Sequence, residues 1–498
     1  MTSAYHHLEQ RFAELSLLSD ALGILGWDTQ TQMPAGAAES RGAQVATLSR
    51  LSHERLTAPE VADWLDEAEA GTADPDPWPQ ANLREMRRAW RQATALPARL
   101  VTWEAESSTR CEMIWREARA NSDFARLLPA LADVLACQQE KAAALAAASG
   151  LSPYDALLDT YEEGLRSADI AGVFADLAAF LPPFLAAVLE RQAAAPAPRT
   201  PEGPFPIAAQ RALGETVMRA AGFDFSRGRL DVSLHPFCGG ATDDVRITTR
   251  YNESDFASAL MGVLHETGHA LYEQNRPAAW KRQPVGGSRG MVVHESQSLL
   301  IEMQASRSLD FLTWLAPQAQ AVFNGSGPAW SVENFARLYT RVTPGFIRVE
   351  ADEVTYPAHI LLRTRLEQEL LAGRLPLADL PEAWNQGMQS LLGITPPDDR
   401  RGCLQDIHWP GGGWGYFPTY TLGAMVAAQL YATATAANPD IRAGLRTGDF
   451  APLRTWLNAA IHSHGRRWPL PELLRQATGK PLDATAYTAH LKARYLEA

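Results

Sequence analysis

Cysteine is scarce in this chain: Cys111, Cys137, Cys238 and Cys403 are its four, widely spaced and with no Cys-x-x-Cys pair. That argues against a disulfide-built fold and fits reduced thiols in a cytoplasmic protein. Basic excess is missing as well. The 45 Lys and Arg face 57 Asp and Glu, a formal net charge of -12, whereas nucleic-acid binding wants a basic face. No apolar run approaches the roughly 20 residues that span a bilayer. The stretch Met1 to Leu15 carries Glu9, Arg11 and Glu14 and lacks the basic start and apolar core of a signal peptide. Neither a nucleic-acid nor a membrane partner is expected, and no internal repeat stands out.

What is present is globular: 46% hydrophobic and 20% charged residues over 498 positions, enough for a large core. Helical spacing dominates. Leu8, Phe12, Leu15, Leu18, Leu22 and Leu25 predict an opening amphipathic helix from Tyr5 to Leu25, followed by Trp27-Asp28 and a turn at Met33 to Gly36. A second helical pattern runs from Glu39 to Leu56, and Gly71 to Pro79 reads as a loop. Two or three long helices fill Ala81 to Ser149, and another heads towards Gln192 with a break at Pro182-Pro183. Residues 193–206 are the most linker-like stretch, either a domain boundary or a surface loop. Alternating Val, Ile and Thr predict strands at Arg229 to Leu234 and Asp244 to Thr249, a small sheet bordering a cleft. Helix then returns nearly to the end, interrupted at glycine-rich Pro410 to Gly415 and the aromatic segment Tyr416 to Tyr420. The fold class is mainly α.

The chemistry centres on His265-Glu266-Thr267-Gly268-His269. Residues four apart on a helix share a face, so His265 and His269 can point at one cation. Glu266 then stands beside the water that such a cation activates, without ligating it. Two stacked core histidines would give the same letters by chance, but the flanking apolar Phe256, Leu260, Val263 and Leu264 fit a helix that ends before Pro277. A catalytic zinc usually takes three protein ligands. Tyr272 and Asn275 occupy the positions where the extended His-Glu-x-x-His-x-x-Gly-x-x-His form needs Gly and His, so the third ligand comes from further on. Spacing leaves Glu295, His294 and Glu302 open. Glu273 is either an acceptor behind a ligand histidine or a plain exposed acid.

At this point the residues resemble the carboxypeptidase Taq family of metallocarboxypeptidases. His235-Pro236-Phe237 is similar to its His-Pro-Phe, and Asp244 to Thr248 to its Asp-x-Arg-x-Thr. His294-Glu295-Ser296 with Gln297 and the segment Gly402 to Trp409 (Gly-x-x-Gln-Asp-x-His-Trp) follow in order, and Trp27-Asp28 and Met33-Pro34 extend the likeness to the amino-terminal part. The resemblance implies Glu295 as third ligand and an all-helical, two-lobed fold with a deep cleft, like neurolysin and angiotensin-converting enzyme. It also implies zinc or cobalt, a homodimer, and one catalytic domain over 1-498.

A carboxypeptidase must activate water, stabilise an oxyanion and hold a free carboxylate. Glu266 is the expected base. His408 and Tyr420 are candidate oxyanion donors, with a core tyrosine as the plainer alternative for Tyr420. Arg348 and Arg246 are candidates for the substrate carboxylate, since a guanidinium pairs with both oxygens. Either is alternatively a structural ion pair, with Glu350 or Asp244 respectively. His235 and His294 are expected to line the site or touch substrate. The expected partners are peptides with a free carboxy terminus. Rival readings are an oligoendopeptidase or dipeptidyl carboxypeptidase on the same scaffold, and a non-catalytic helical metal-binding scaffold. The last leaves Glu266 without a purpose.

Overall fold

A computed structural model describes residues 3–71 and 76–497. The fold is helical with one three-stranded sheet. The first helix runs Ser3–Thr31, longer than its leucine spacing indicates, and takes Trp27 into the core at 5% exposure. Behind it come Ala38–Leu56, Pro59–Ala70, and three long helices, Pro77–Ala95, Ala98–Asn121 and Phe124–Ser149. Part of the loop expected at Gly71 to Pro79 lies outside the described residues. Leu8, Phe12, Leu15, Val61, Leu65 and Met86 form a small apolar cluster of their own, separate from the main core.

Two sequence readings need correction. The helix Ser167–Ala194 runs through Pro182 and Pro183 without a break. Leu181, Phe184, Leu185 and Val188 around the prolines are buried, and that packing outweighs the lost backbone hydrogen bonds. The same helix is also long and apolar enough to cross a bilayer by length and composition, with a mean hydropathy of 1.9 in its most apolar window. Scattered alanines raise that mean without making a long run of large apolar residues. One face packs into the main core, as a core helix does. The segment after it, 195–206, has no regular structure but is tied down. Phe205 N–H donates to Glu253 C=O at 2.7 Å, and the Phe205 ring packs edge-on against Phe256.

Strands β1 (Gly228–Val232), β2 (Cys238–Ala241) and β3 (Asp244–Thr249) lie in the order β1-β3-β2. β1 runs parallel to β3, with Leu230 opposite Ile247, and β2 runs antiparallel, with Gly239 opposite Arg246. β2 is unannounced in the sequence because Cys-Gly-Gly-Ala has little strand propensity. Its pairing with β3 makes it a strand. β3 leads within seven residues into the helix Phe256–Gln274, which is buried on nearly every side. All four cysteines are free thiols.

Candidate metal centre and active site

Asp255 starts the helix Phe256–Gln274 by accepting the N–H groups of Ala257 and Ser258. Its periodicity then sets His265 and His269 on one face, with ring centres 5.0 Å apart and nearly perpendicular. The helix Met291–Leu299 brings Glu295 across, its Oε2 3.6 Å from His269 Nε2. One donor atom from each of His265, His269 and Glu295 lies within 4.8 Å of the others. Bonds of roughly 2.1 Å to a tetrahedral zinc separate its ligands by about 3.4 Å. The donor set and spacing therefore suit a divalent cation, and a modest contraction closes the cluster on it. The approach of the two helices depends on Gly268, where a Cβ would stand 2.4 Å from Gln297 C=O.

Each histidine is oriented from behind. His265 Nδ1 faces Glu302 Oε2 at 3.0 Å, and Arg307 donates to the other oxygen of Glu302 at 2.5 Å. Glu302 sits in a π-helical stretch, Leu300–Ser306, that continues the Glu295 helix with a wider turn. So Glu302, a rival for third ligand, backs a histidine instead. His294, the other rival, has Nδ1 2.6 Å from His269 Nδ1, while its Nε2 lies 3.0 Å from Glu273 Oε1. With His269 Nε2 turned to Glu295, the proton order follows. His269 Nδ1–H donates to His294, and His294 Nε2–H donates to Glu273. Arg276 holds Glu273 at 3.1 Å. Glu273 is therefore tied into the site through His294 and is not a plain exposed acid.

These environments set the charges. Burial opposes a charge on His265, but the Glu302 hydrogen bond and the nearby Glu295 and Glu266 carboxylates prevail and raise it to about 10. Burial, with His294 and His265 nearby, holds His269 far below the ordinary imidazole value. Glu266 is only 6% exposed, and burial pushes its carboxyl up to about 7, against the pull of His265.

The aromatic segment faces Glu295 from another side. Tyr420 belongs to the helix Pro418–Ala437, and its hydroxyl lies 3.4 Å from His408 Nε2. Burial raises Tyr420 to about 12 and lowers His408 to about 4, so one is a protonated phenol and the other a neutral ring across the physiological range. Tyr416 stands with its ring centre 5.1 Å from that of Tyr420, and Glu295 acts on the titration of both. Tyr416 was readable only as part of an aromatic run.

Both candidate arginines have carboxylate partners. Arg348 is 5% exposed and gives Nε and Nη2 to Asp406, at 3.1 and 2.8 Å from Oδ1, and Nη1 to the Tyr356 hydroxyl at 3.0 Å. The acid is Asp406, not Glu350, because the chain returns through Gln405-Asp406 and not because of neighbourhood in sequence. Arg363 shares Asp406 at 2.6 Å. Arg246 pairs with Asp244 through Nε at 2.9 Å and lies over the Trp27 ring, 4.2 Å from its centre. His235 is exposed on the loop between β1 and β2, and no side-chain hydrogen bond ties it to the metal cluster among the described residues. A cavity of about 660 Å³ lies elsewhere, between the helix Pro77–Ala95 and Asp159 and Glu163. None of the cluster or aromatic residues lines it, so donor chemistry and not cavity size identifies the site.

A mainly helical scaffold carrying two histidines of His-Glu-x-x-His, a glutamate from the next helix and a buried glutamate between them defines a helical metallopeptidase. The chain belongs to the carboxypeptidase Taq (M32) metallopeptidase family, whose model matches residues 7–495. It is 40% identical to thermostable carboxypeptidase 1 of Thermus thermophilus, across 99% of this chain and 98% of that one. Carboxypeptidase 1 of Bacillus subtilis is 33% identical over 98% of each. Metallocarboxypeptidase 1 of Trypanosoma cruzi has the same fold, with a TM-score of 0.97 and 42% identity over 99% of both chains. Pyrococcus furiosus carboxypeptidase, in an apo-Mg form, gives a TM-score of 0.94 at 34% identity, covering 100% of this chain and 99% of that one. The protein is a metallocarboxypeptidase of this family, and peptides are its substrates.

Proposed function

We propose that the enzyme releases single residues from the carboxy terminus of peptides with broad side-chain tolerance, using Glu266 as general base. The supporting observation is a buried carboxyl raised to about 7 directly beside a three-donor cluster. His265, His269 and Glu295 would hold Zn2+ (or Co2+), which when bound would supply Lewis-acid chemistry for the scissile carbonyl and the attacking water. Glu266 takes a proton from the attacking water and passes it to the leaving amine, a role suited to a pKa near the working pH. Tyr420, protonated up to about 12, donates its O–H to the oxyanion, and neutral His408 orients that hydroxyl.

Arg348 receives the substrate carboxylate. One N–H on each of Nη1 and Nη2 remains after those given to Tyr356 and Asp406, and the pair suits a carboxylate. Arg246, over the Trp27 ring, bounds the far end of the cleft, and exposed His235 meets longer substrates. His294 acts behind His269. The family resemblance supports a homodimer of single catalytic domains, and the few, widely spaced cysteines support a cytoplasmic setting.

The test is mass spectrometry of a free-ended peptide and its carboxy-amidated twin, with metal-loaded wild type and Glu266→Gln. Stepwise loss of single residues from the free end alone, slowed about 10²–10⁴-fold in the variant with metal still bound, is expected. Dipeptide products or cleavage of the amidated peptide would move the assignment to the dipeptidyl or oligoendopeptidase reading. Full activity in Glu266→Gln would remove the base.

A further inference from the structure

The helix that carries His294 and Glu295 begins at Gly290, which has no side chain to cap it. Its first free N–H groups are satisfied from about 130 residues away in sequence. Glu162 is fully buried, and its Oε2 accepts Val292 N–H at 3.0 Å and Val293 N–H at 3.4 Å. A carboxylate at this end of a helix meets both the unpaired donors and the positive end of the helix dipole. The fit is close: a Cβ at position 290 would lie 2.6 Å from the Glu162 carboxylate, so glycine is needed there for the cap to enter.

Glu162 is itself held. Arg289, 3% exposed, approaches it through Nε at 3.7 Å and reaches Glu85 at 3.5 Å and Glu163 as well. It also donates to the carbonyls of Arg466 and Trp468 at 3.2 and 3.3 Å. The backbone N–H of Arg289 donates to the Tyr272 hydroxyl at 2.9 Å, and Tyr272 lies three residues after His269 on the metal-motif helix. One arginine thus joins the start of the Glu295 helix to the helix of the two histidines.

Buried ion clusters of this kind are a poor source of net stability, because desolvation offsets the attraction and apolar residues of equal volume often serve as well. Their geometric constraint is strong. A helix advances about 100° per residue, so a small rotation about its axis would swing Glu295 away from His269. We propose that Glu162 and Arg289 are positioning residues of the metal centre: the Glu162 cap, oriented by Arg289, fixes the rotation of the Glu295 helix against the His265/His269 helix. This rests on the reading of His265, His269 and Glu295 as the metal ligands.

The experiment measures zinc affinity by chelator competition, the visible absorption of the cobalt-loaded enzyme, and unfolding of the metal-free protein. It compares wild type, Glu162→Leu, Glu162→Gln and Glu162→Asp, with Glu295→Gln as control. Glu162→Leu is expected to weaken zinc binding about 10–100-fold and alter the cobalt spectrum while the metal-free protein unfolds within a few degrees of wild type. Glu162→Gln, which keeps an acceptor oxygen, recovers most of the affinity. Glu162→Asp keeps the charge for Arg289 but withdraws the carboxylate by one methylene, and it is expected to weaken zinc binding too; it decides the matter if the leucine variant does not fold. Wild-type affinity and spectrum in a folded Leu or Asp variant would overturn the positioning role and leave the metal site standing. Zinc binding indifferent to Glu295→Gln would overturn the site reading itself, and this proposal with it.

Discussion

His265 and His269 leave one helix face four residues apart, yet they are supported by different devices. Behind His265 stands an ionised carboxylate in direct contact, Glu302, itself held in place by Arg307. Behind His269 stands another imidazole, His294, and only then the carboxylate Glu273 with Arg276. The direct arrangement puts a full negative charge against the ring and raises His265 to about 10, while His269 is held neutral. A cation held by both would have to displace a proton from the first ring and none from the second. Geometry is fixed on both sides, but basicity is concentrated on one.

The sharpest way to break this comparison is Glu302→Ala. It strips His265 of its acceptor and half-buried Arg307 of its carboxylate partner, so a loss of roughly 3 kcal/mol in stability is expected. Metal affinity is expected to fall towards 100-fold, read by chelator competition and thermal unfolding. Gly268→Ala acts on the packing instead. Its new methyl meets Gln297 C=O at 2.4 Å and forces the two ligand helices apart, for about 1–3 kcal/mol in thermal unfolding. His294→Phe keeps the ring volume behind His269 but removes the relay, and a roughly tenfold loss of metal affinity is expected. A loss as large as that of Glu302→Ala would show that the two devices are equivalent.

Counted per pH unit, the smallest effect concerns acid. His359 and His462 are held down to about 3 by burial, reinforced by Arg363 and His294 respectively, against an ordinary value of 6.5. Below pH 6.5 the unfolded chain takes up these protons and the folded chain does not. Stability is therefore complete above about pH 6.5 and falls as the pH drops towards 3, by about 1.4 kcal/mol per pH unit for each such histidine. His359→Leu is expected to flatten the acid limb of the unfolding midpoint against pH by one proton's worth. An unchanged slope would show that His359 is not held neutral.

Much of this was legible beforehand. Periodicity indicated the helices and two of the three strands, and the spacing of His265 and His269 prescribes a shared face on any helix. The third donor was not derivable from spacing, since His294, Glu295 and Glu302 all lie within one short stretch; their separation into a cluster member and two supporters depends on where that helix begins and on its π turn. The partner of Arg348 was misread because sequence neighbours were weighed, whereas Asp406 arrives from 58 residues away. The break at Pro182-Pro183 was misread because local propensity was weighed without the core that overrides it.

The sequence by itself thus determined the local terms: helix and strand periods, the His-Glu-x-x-His spacing with Glu266 inside it, and the scarcity of cysteine. Those follow from bonds and dihedral preferences acting over a few residues. The tertiary structure alone decided which carboxylate meets which histidine, that Asp406 is the acid paired with Arg348, and that a glutamate at 162 caps a helix at 292. Those contacts join positions far apart in the chain, and only the packing of the core brings them together.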